Sequence, residues 1–380
     1  MRHLHTTWNA AKYLFVLACL TAGILPTWHA NAAGLWPEPA NLRVRVTNAA
    51  SALAHATDSV MFELAGTAAL HCAPDVTGAA VSGANDVEIR MHWPIIGCNP
   101  ARATGFAVAV DVAAVTGVAL PRGRVYPVSI RTADGDLLAF RLFDTTPMHR
   151  GIQPESGFWW PTANDALASP VSVGTGVGIE VQGSQLAVNV FGFDDSGAAT
   201  WYFGTAQQIG RVATAQLVGL QQGDPLLAPM GRQPQARAGL RLELLFLSPT
   251  MARAWLVSDV DGRDQLVREF MLSRRTFDLR GSFTTQLAGR WVLVSDGEAA
   301  PRQFQWWAQA GRGEGRTQLG GSDGSVLECR LDPATGAAMA CSLSVNGVVE
   351  AEFDQVGFDR LGGRGNDGAA VQLLRVPPPH

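Results

Sequence analysis

Lysine is nearly missing from this chain. Lys12 is the only one, although lysines and arginines together number 29 and acidic residues 33. Once the N-terminal segment described below is removed no lysine remains, which excludes Schiff-base chemistry, a phosphate-loop lysine and a Ser–Lys dyad. The formal net charge is -4, with both signs interspersed. No basic stripe exists to neutralise phosphates, so nucleic acid is not expected as a partner. Cysteine is scarce, five in 380 residues, and no two are spaced Cys-x-x-Cys, which argues against a four-thiolate metal site. Apart from the terminal His380, the later histidines His55, His71, His92 and His149 are scattered with no pair at i, i+4. They read as surface or half-buried residues rather than bases or ligands. No metal or cofactor is expected.

Long apolar runs are also missing beyond the N-terminus, where Arg2 and Lys12 give a positive start ahead of an apolar stretch from Tyr13 to Leu25. That stretch falls short of the ~20 residues of a membrane span. Pro26 and Trp28 break it, and Ala30-Asn31-Ala32 supplies a small-x-small pattern, so residues 1–32 read as a signal peptide cut after Ala32. The mature chain is then expected in the periplasm or outside the cell, with no transmembrane segment. Val16-Leu17-Ala18-Cys19 loosely resembles a lipoprotein box, so a lipoprotein anchored through Cys19 is the alternative, although a second membrane signal is lacking. In an oxidising compartment Cys72, Cys98, Cys329 and Cys341 are expected to form two disulfides. Of three connectivities the sequence-local one, Cys72–Cys98 with Cys329–Cys341, is favoured. The chain-entropy model gives ~3–4 kcal/mol for the first and ~3 for the second.

What the chain does have is alternation. Val87, Ile89 and Met91 alternate with polar residues, as do Phe106 to Val112, Tyr126 to Ile130, and Leu138 to Leu142. This is the period-two pattern of half-buried strands, punctuated by turn signals such as Asp134-Gly135. The fold class is therefore all-β, with no helical period. Residues 33–146 read as an immunoglobulin-like sandwich. Leu120-Pro121-Arg122-Gly123-Arg124-Val125-Tyr126 resembles the Leu-Pro-x-Gly-x-Tyr segment of bacterial Ig-like modules, with one extra residue, and the resemblance implies a tyrosine corner at Tyr126. Thr145 to Ser156 reads as a linker.

Residues 151–279 carry Glu155-Ser156-Gly157-Phe158-Trp159-Trp160, then Gly176-Val177-Gly178, Phe193-Asp194-Asp195-Ser196-Gly197 and Thr200-Trp201-Tyr202. Gly239-Leu240-Arg241-Leu242 and Arg275-Thr276-Phe277 follow. This order resembles an uncharacterised Trp-rich repeat of secreted proteobacterial proteins, with Pro161 to Val173 inserted. The resemblance implies architecture rather than activity. Physically the unit reads as seven or eight antiparallel strands closing into an up-and-down barrel or forming a sandwich. In one of these strands Leu240, Leu242, Leu244 and Phe246 share a face, with Arg241 and Glu243 on the other. Residues 280–376 are again β-rich in five stretches, and Gly289-Arg290-Trp291 suggests a divergent copy.

Several motifs read as turns. Gly320-Gly321-Ser322-Asp323-Gly324 matches G-x-S-x-G but lacks a following helix. Asp259 to Asp264 misses the calcium-loop spacing and reads as a solvated hairpin. Gly174-Thr175-Gly176-Val177-Gly178 lacks the strand-turn-helix of a dinucleotide site. The aromatics are more informative. Trp159-Trp160, Trp201-Tyr202 and Trp306-Trp307 are adjacent pairs in strand-like segments, so one member of each must leave the core. Trp159, Trp160, Trp201 and Tyr202 are the candidate binding residues for stacking on a sugar or peptide. The leading expectation is a non-catalytic binding protein, its partner a glycan or an envelope protein. A structural or assembly component of the envelope is the alternative, and a hydrolase using Glu155 with Glu180 is the second alternative.

Overall fold

The computed structural model describes residues 39–46, 59–68, 73–83, 85–94, 104–146, 151–161, 174–194, 196–225, 227, 231–260, 263–276, 282–296, 300–309, 315–332 and 338–377. It is an all-β chain in three bodies. In the first, β1 (Pro39–Val46), β2 (Phe62–Ala68) and β5 (Thr104–Val110) form one sheet. β3 (Asp75–Ser82), β4 (Asp86–His92), β6 (Val125–Thr132) and β7 (Leu137–Asp144) form another. Alternate side chains from both, among them Phe62, Leu64, Val87, Ile89, Met91, Phe106 and Ile130, fill one shared core, as period-two strands packed face to face require. Tyr126 is fully buried there and its hydroxyl donates to the Pro121 carbonyl. The β4–β6 pair is parallel, a departure from the antiparallel sheets of an immunoglobulin sandwich. The alternation expected to run through Val112 stops at Val110. Asp111 accepts the Ala114 N–H and Gly117 (φ 72) closes the turn, making a short helix α1 (Val112–Thr116). A polar N-cap and a left-handed glycine thus outweigh the strand pattern.

The second body is a closed eight-stranded barrel in which each strand pairs with the next. Its strands are β8 (Gly157–Pro161), β9 (Gly176–Gln182), β10 (Gln185–Phe193), β11 (Ala199–Ile209), β12 (Val212–Gln221), β13 (Gln235–Ser248), β14 (Met251–Val260) and β15 (Arg263–Arg275). β15 returns to β8. After a short helix α2 (Phe283–Leu287) comes a second closed barrel of the same order: β16 (Gly289–Ser295), β17 (Arg302–Ala308), β18 (Arg316–Gly321), β19 (Ser325–Leu331), β20 (Ala338–Val345), β21 (Val348–Val356), β22 (Arg360–Gly365) and β23 (Ala370–Val376). Both lumens are packed with apolar side chains.

The two barrels share a closing device. Gly157 (φ 142) and Gly289 (φ 133) each stand two residues before a fully buried tryptophan, Trp159 or Trp291. An arginine of the last strand lies against each glycine, Arg274 or Arg375, and donates to the carbonyl just before it, Ser156 or Ala288. A Cβ on either glycine would stand 3.1 or 3.2 Å from that guanidinium. Cys329 and Cys341 pair directly across β19 and β20 and form a buried disulfide. Cys72 and Cys98 lie outside the described residues, as do residues 1–32 and most of the inserted segment after Pro161.

Apolar and charged contacts join the bodies. Val125 and Phe140 of the sandwich pack with Leu245, Trp255 and Val257 of the first barrel. Arg253 bridges Glu269 beside it and Asp86 of the sandwich. Asp264, expected in a solvated turn, is instead buried. It accepts from Arg241, Arg141 and the Phe140 N–H. Burial raises its pKa, but the Arg241 and Phe140 bonds and both arginine charges outweigh that and hold the carboxyl below its ordinary value. Glu243, on the face opposite the lumen, is buried beside Arg241 and Thr214. On the other side, Glu155 accepts the N–H groups of Phe358, Asp359 and Arg360 in the β21–β22 turn, with Arg274 at 3.3 Å. Glu155→Gln leaves part of that turn unsatisfied and is expected to cost ~1–3 kcal/mol. Thermal melting of the variant, with limited proteolysis reporting on the second barrel, checks this.

Candidate functional site

Trp159 and Trp160 separate as strand geometry demands. Trp159 points into the lumen of the first barrel, fully buried against Phe246. Trp160 points outward. Tyr202 packs on the lumen core, whereas Trp201 stands 48% exposed on the outer wall. Of the four candidate residues, then, only Trp160 and Trp201 are presented to a ligand. Trp159 and Tyr202 are core residues because their neighbours took the outer positions.

The same outer wall gathers rings that sequence reading passed over. Phe191 on β10 sits opposite Trp201 on β11 and opposite Gly176 on β9. The Trp160 ring covers Gly176, where an added Cβ would meet it at 3.1 Å. One row across four strands is therefore Trp160, Gly176, Phe191 and Trp201. The next row, two residues along, is Phe158, Gly178, Asn189 and Phe203, and it ends on Val218 of β12. Rows separated by two residues lie ~6.6 Å apart and neighbouring strands ~4.8 Å. The rings touch: Phe158 lies 5.9 Å from Phe191, and Trp201 5.9 Å from Phe203. Phe193, 59% exposed, extends the patch over Gly174.

This gives Gly174-Thr175-Gly176-Val177-Gly178 a role. Its alternate glycines share the outer face, and Phe193, Trp160 and Phe191 are the nearest rings above them. A Cβ would crowd the ring at Gly174 (2.6 Å from Phe193) and at Gly176 (3.1 Å from Trp160), so glycine permits the close approach there, whereas at Gly178 it would only touch Phe191 at 3.6 Å. Aromatic cover of strand glycines is itself a stabilising device. Trp201 and Phe203 have no such glycine beneath them and are still exposed. The remaining outward positions of β11 and β12 are mixed, with polar Thr205, Gln207, Thr214 and Gln216 beside the exposed Ile209 and Leu220. The packed apolar lumen is the inverse of the polar interior of a membrane-spanning barrel.

The other candidates resolve simply. Glu155 uses both carboxylate oxygens on the β21–β22 turn, while Glu180 stands exposed on β9. Ser322 lies in a hairpin turn between β18 and β19, with a strand and not a helix following. In the second barrel Trp306 is buried and donates to Ser325, and Trp307 is 52% exposed. Among the described residues no group of three or more His, Cys, Asp or Glu is placed to hold a metal ion. The chain matches no protein-family model and no curated protein sequence.

Proposed function

We propose that this is an exported, non-catalytic binding protein that holds a glycan chain against the outer aromatic wall of its first barrel. The two cross-strand rows carry this reading. They put Phe158, Trp160, Phe191, Trp201 and Phe203 on one continuous face, with Asn189 and the exposed Arg275 beside them as hydrogen-bonding groups. Sugar rings offer flat C–H faces that stack on such surfaces, and a linear chain suits a row. An exposed apolar patch of this kind marks a contact surface. In this reading the sandwich is an Ig-like support, with the Tyr126 corner in its favour, and residues 151–279 are one copy of the Trp-rich repeat.

A glycan panel on the mature protein tests the proposal. Wild type is expected to retain at least one linear glycan, and Trp201→Ala to weaken it by about tenfold or more, ~1.4 kcal/mol, without loss of fold. A panel with no ligand, or a ligand held equally by the variant, would sink the glycan reading. The second reading is an envelope protein partner, favoured by one observation: four of the six rings are phenylalanine, which bonds to no sugar hydroxyl. Export is checked by mass spectrometry of secreted material, where an N-terminus at Ala33 with no acyl chain is expected. An acylated Cys19 would replace this with membrane anchoring.

A further inference from the structure

A cleft of about 590 Å³ opens between the sandwich and the first barrel, on the side of the barrel formed by β13, β14 and β15. Asn85, Arg124 and Val125 line it from the sandwich. Arg211, Leu245, Leu247, Arg253, Glu269 and Met271 line it from the barrel. Volume and position between bodies are those of a small-molecule site.

The charges in the cleft are unevenly committed. Arg253 is saturated by Asp86 and Glu269, so those three groups form a closed wall. Asp144 gives its oxygens to the Arg211 backbone N–H and to Thr146. Among the described residues the guanidinium of Arg211 donates only through Nε to the Phe246 carbonyl, at 3.2 Å, and that of Arg124 only to the Asn85 side chain, at 3.0 Å. Neither makes an ion pair among the described residues, and each keeps most of its five N–H donors. Both Asp86 oxygens, Glu269 Oε1 and the Asp144 oxygens are committed, while most of the Arg211 and Arg124 donors are not. Burial draws the Arg211 pKa below its ordinary value, with Asp144 pulling the other way, as an under-compensated cation should show.

We propose that this cleft binds a small organic carboxylate, its charge held by Arg211 and Arg124 and its apolar body resting on Leu245, Leu247, Val125 and Met271. The paired N–H donors of a guanidinium match the two oxygens of a carboxylate. A ligand there would also bridge the two bodies and so raise the melting temperature. The site is separate from the aromatic wall and does not depend on the glycan reading.

The test is calorimetric titration and thermal melting of the full mature chain with three probes: benzoate, benzyl alcohol and inorganic phosphate. Benzoate is expected to bind, raise the melting temperature and weaken with salt, and the other two to bind about tenfold less tightly or worse. Arg211→Ala and Arg124→Ala should each lose about tenfold in benzoate affinity, Arg211→Lys less, and Trp201→Ala nothing. Circular dichroism confirms that each variant is folded, and if Arg211→Ala is not, Arg124→Ala and Arg211→Lys carry the comparison. Absence of benzoate binding would overturn the proposal, and so would equal binding of benzyl alcohol or unchanged affinity in the folded arginine variants. Phosphate binding as tight as benzoate would overturn the assignment of an apolar body.

Discussion

Replacing Asp264 with alanine is expected to destabilise the protein by ~3–5 kcal/mol, the cost of removing one partner from a buried ion pair. Two guanidinium groups, Arg241 and Arg141, and the Phe140 N–H all aim at this one carboxylate. Without it Arg241, largely buried, keeps only Glu243 and the Phe140 carbonyl. The pH dependence has a definite sign. Because the folded pKa lies below the ordinary carboxylate value, the contribution is complete above about pH 4. It fades as pH falls through the lower folded pKa. Acid denaturation of the wild type should therefore contain a limb that Asp264→Asn lacks. Chemical denaturation of both proteins from neutral pH downward measures it. Stability curves that stay parallel through the acid range would mean that Asp264 is not held as a carboxylate.

The second large effect separates the two tryptophans of different fate. Trp159→Ala empties a place in the barrel lumen and should cost ~3–5 kcal/mol. Trp201→Ala removes a ring from the outer wall and should change stability by about 0.5 kcal/mol. Trp159→Phe is informative as well. The Trp159 indole N–H is buried and finds no acceptor among the described residues, so removing it relieves a cost while keeping most of the ring. Its penalty should fall well below that of alanine. Equal melting temperatures for Trp159→Ala and Trp201→Ala would contradict the inward and outward placement.

Much of this architecture was legible in the residues. The alternation of Leu240 to Phe246 reports a strand with an apolar inner face, and Leu242, Leu244 and Phe246 are indeed buried in the lumen. Asp194 and Gly197 report a hairpin, and the Asp194 side chain accepts the Ser196 and Ala198 N–H groups while Gly197 takes φ 80. A period-two pattern cannot say what covers the second face. Leu245 and Phe140 lie on such faces, buried by the contact between sandwich and barrel, with Leu142 partly buried beside them. The same limit made Asp264 look solvated and left the cover over Glu243 unread.

Closure of the barrels was left open between barrel and sandwich because it depends on pairs such as Leu272 with Pro161, far apart in sequence. Three strands of the second barrel, β18, β21 and β22, were missed. Glycine hides β22: at Gly363 an added Cβ would stand 1.9 Å from the Glu352 carbonyl oxygen, so close approach excludes the side chain that would have marked the strand. The candidate site was half legible. Adjacent tryptophans announce that one ring must face outward, but which one depends on register. That Phe158, Phe191 and Phe203 join Trp160 and Trp201 depends on pairing across four strands.

The central claim is that this outer wall is where the ligand lies. Covalent side-chain footprinting of the full mature chain, with and without a glycan retained in the panel, tests it most directly. Protection is expected at Phe158, Trp160, Phe191, Trp201 and Phe203, with the exposed Trp307 of the second barrel unchanged. Bound glycan that leaves those five residues as reactive as before, with protection elsewhere, would contradict the account.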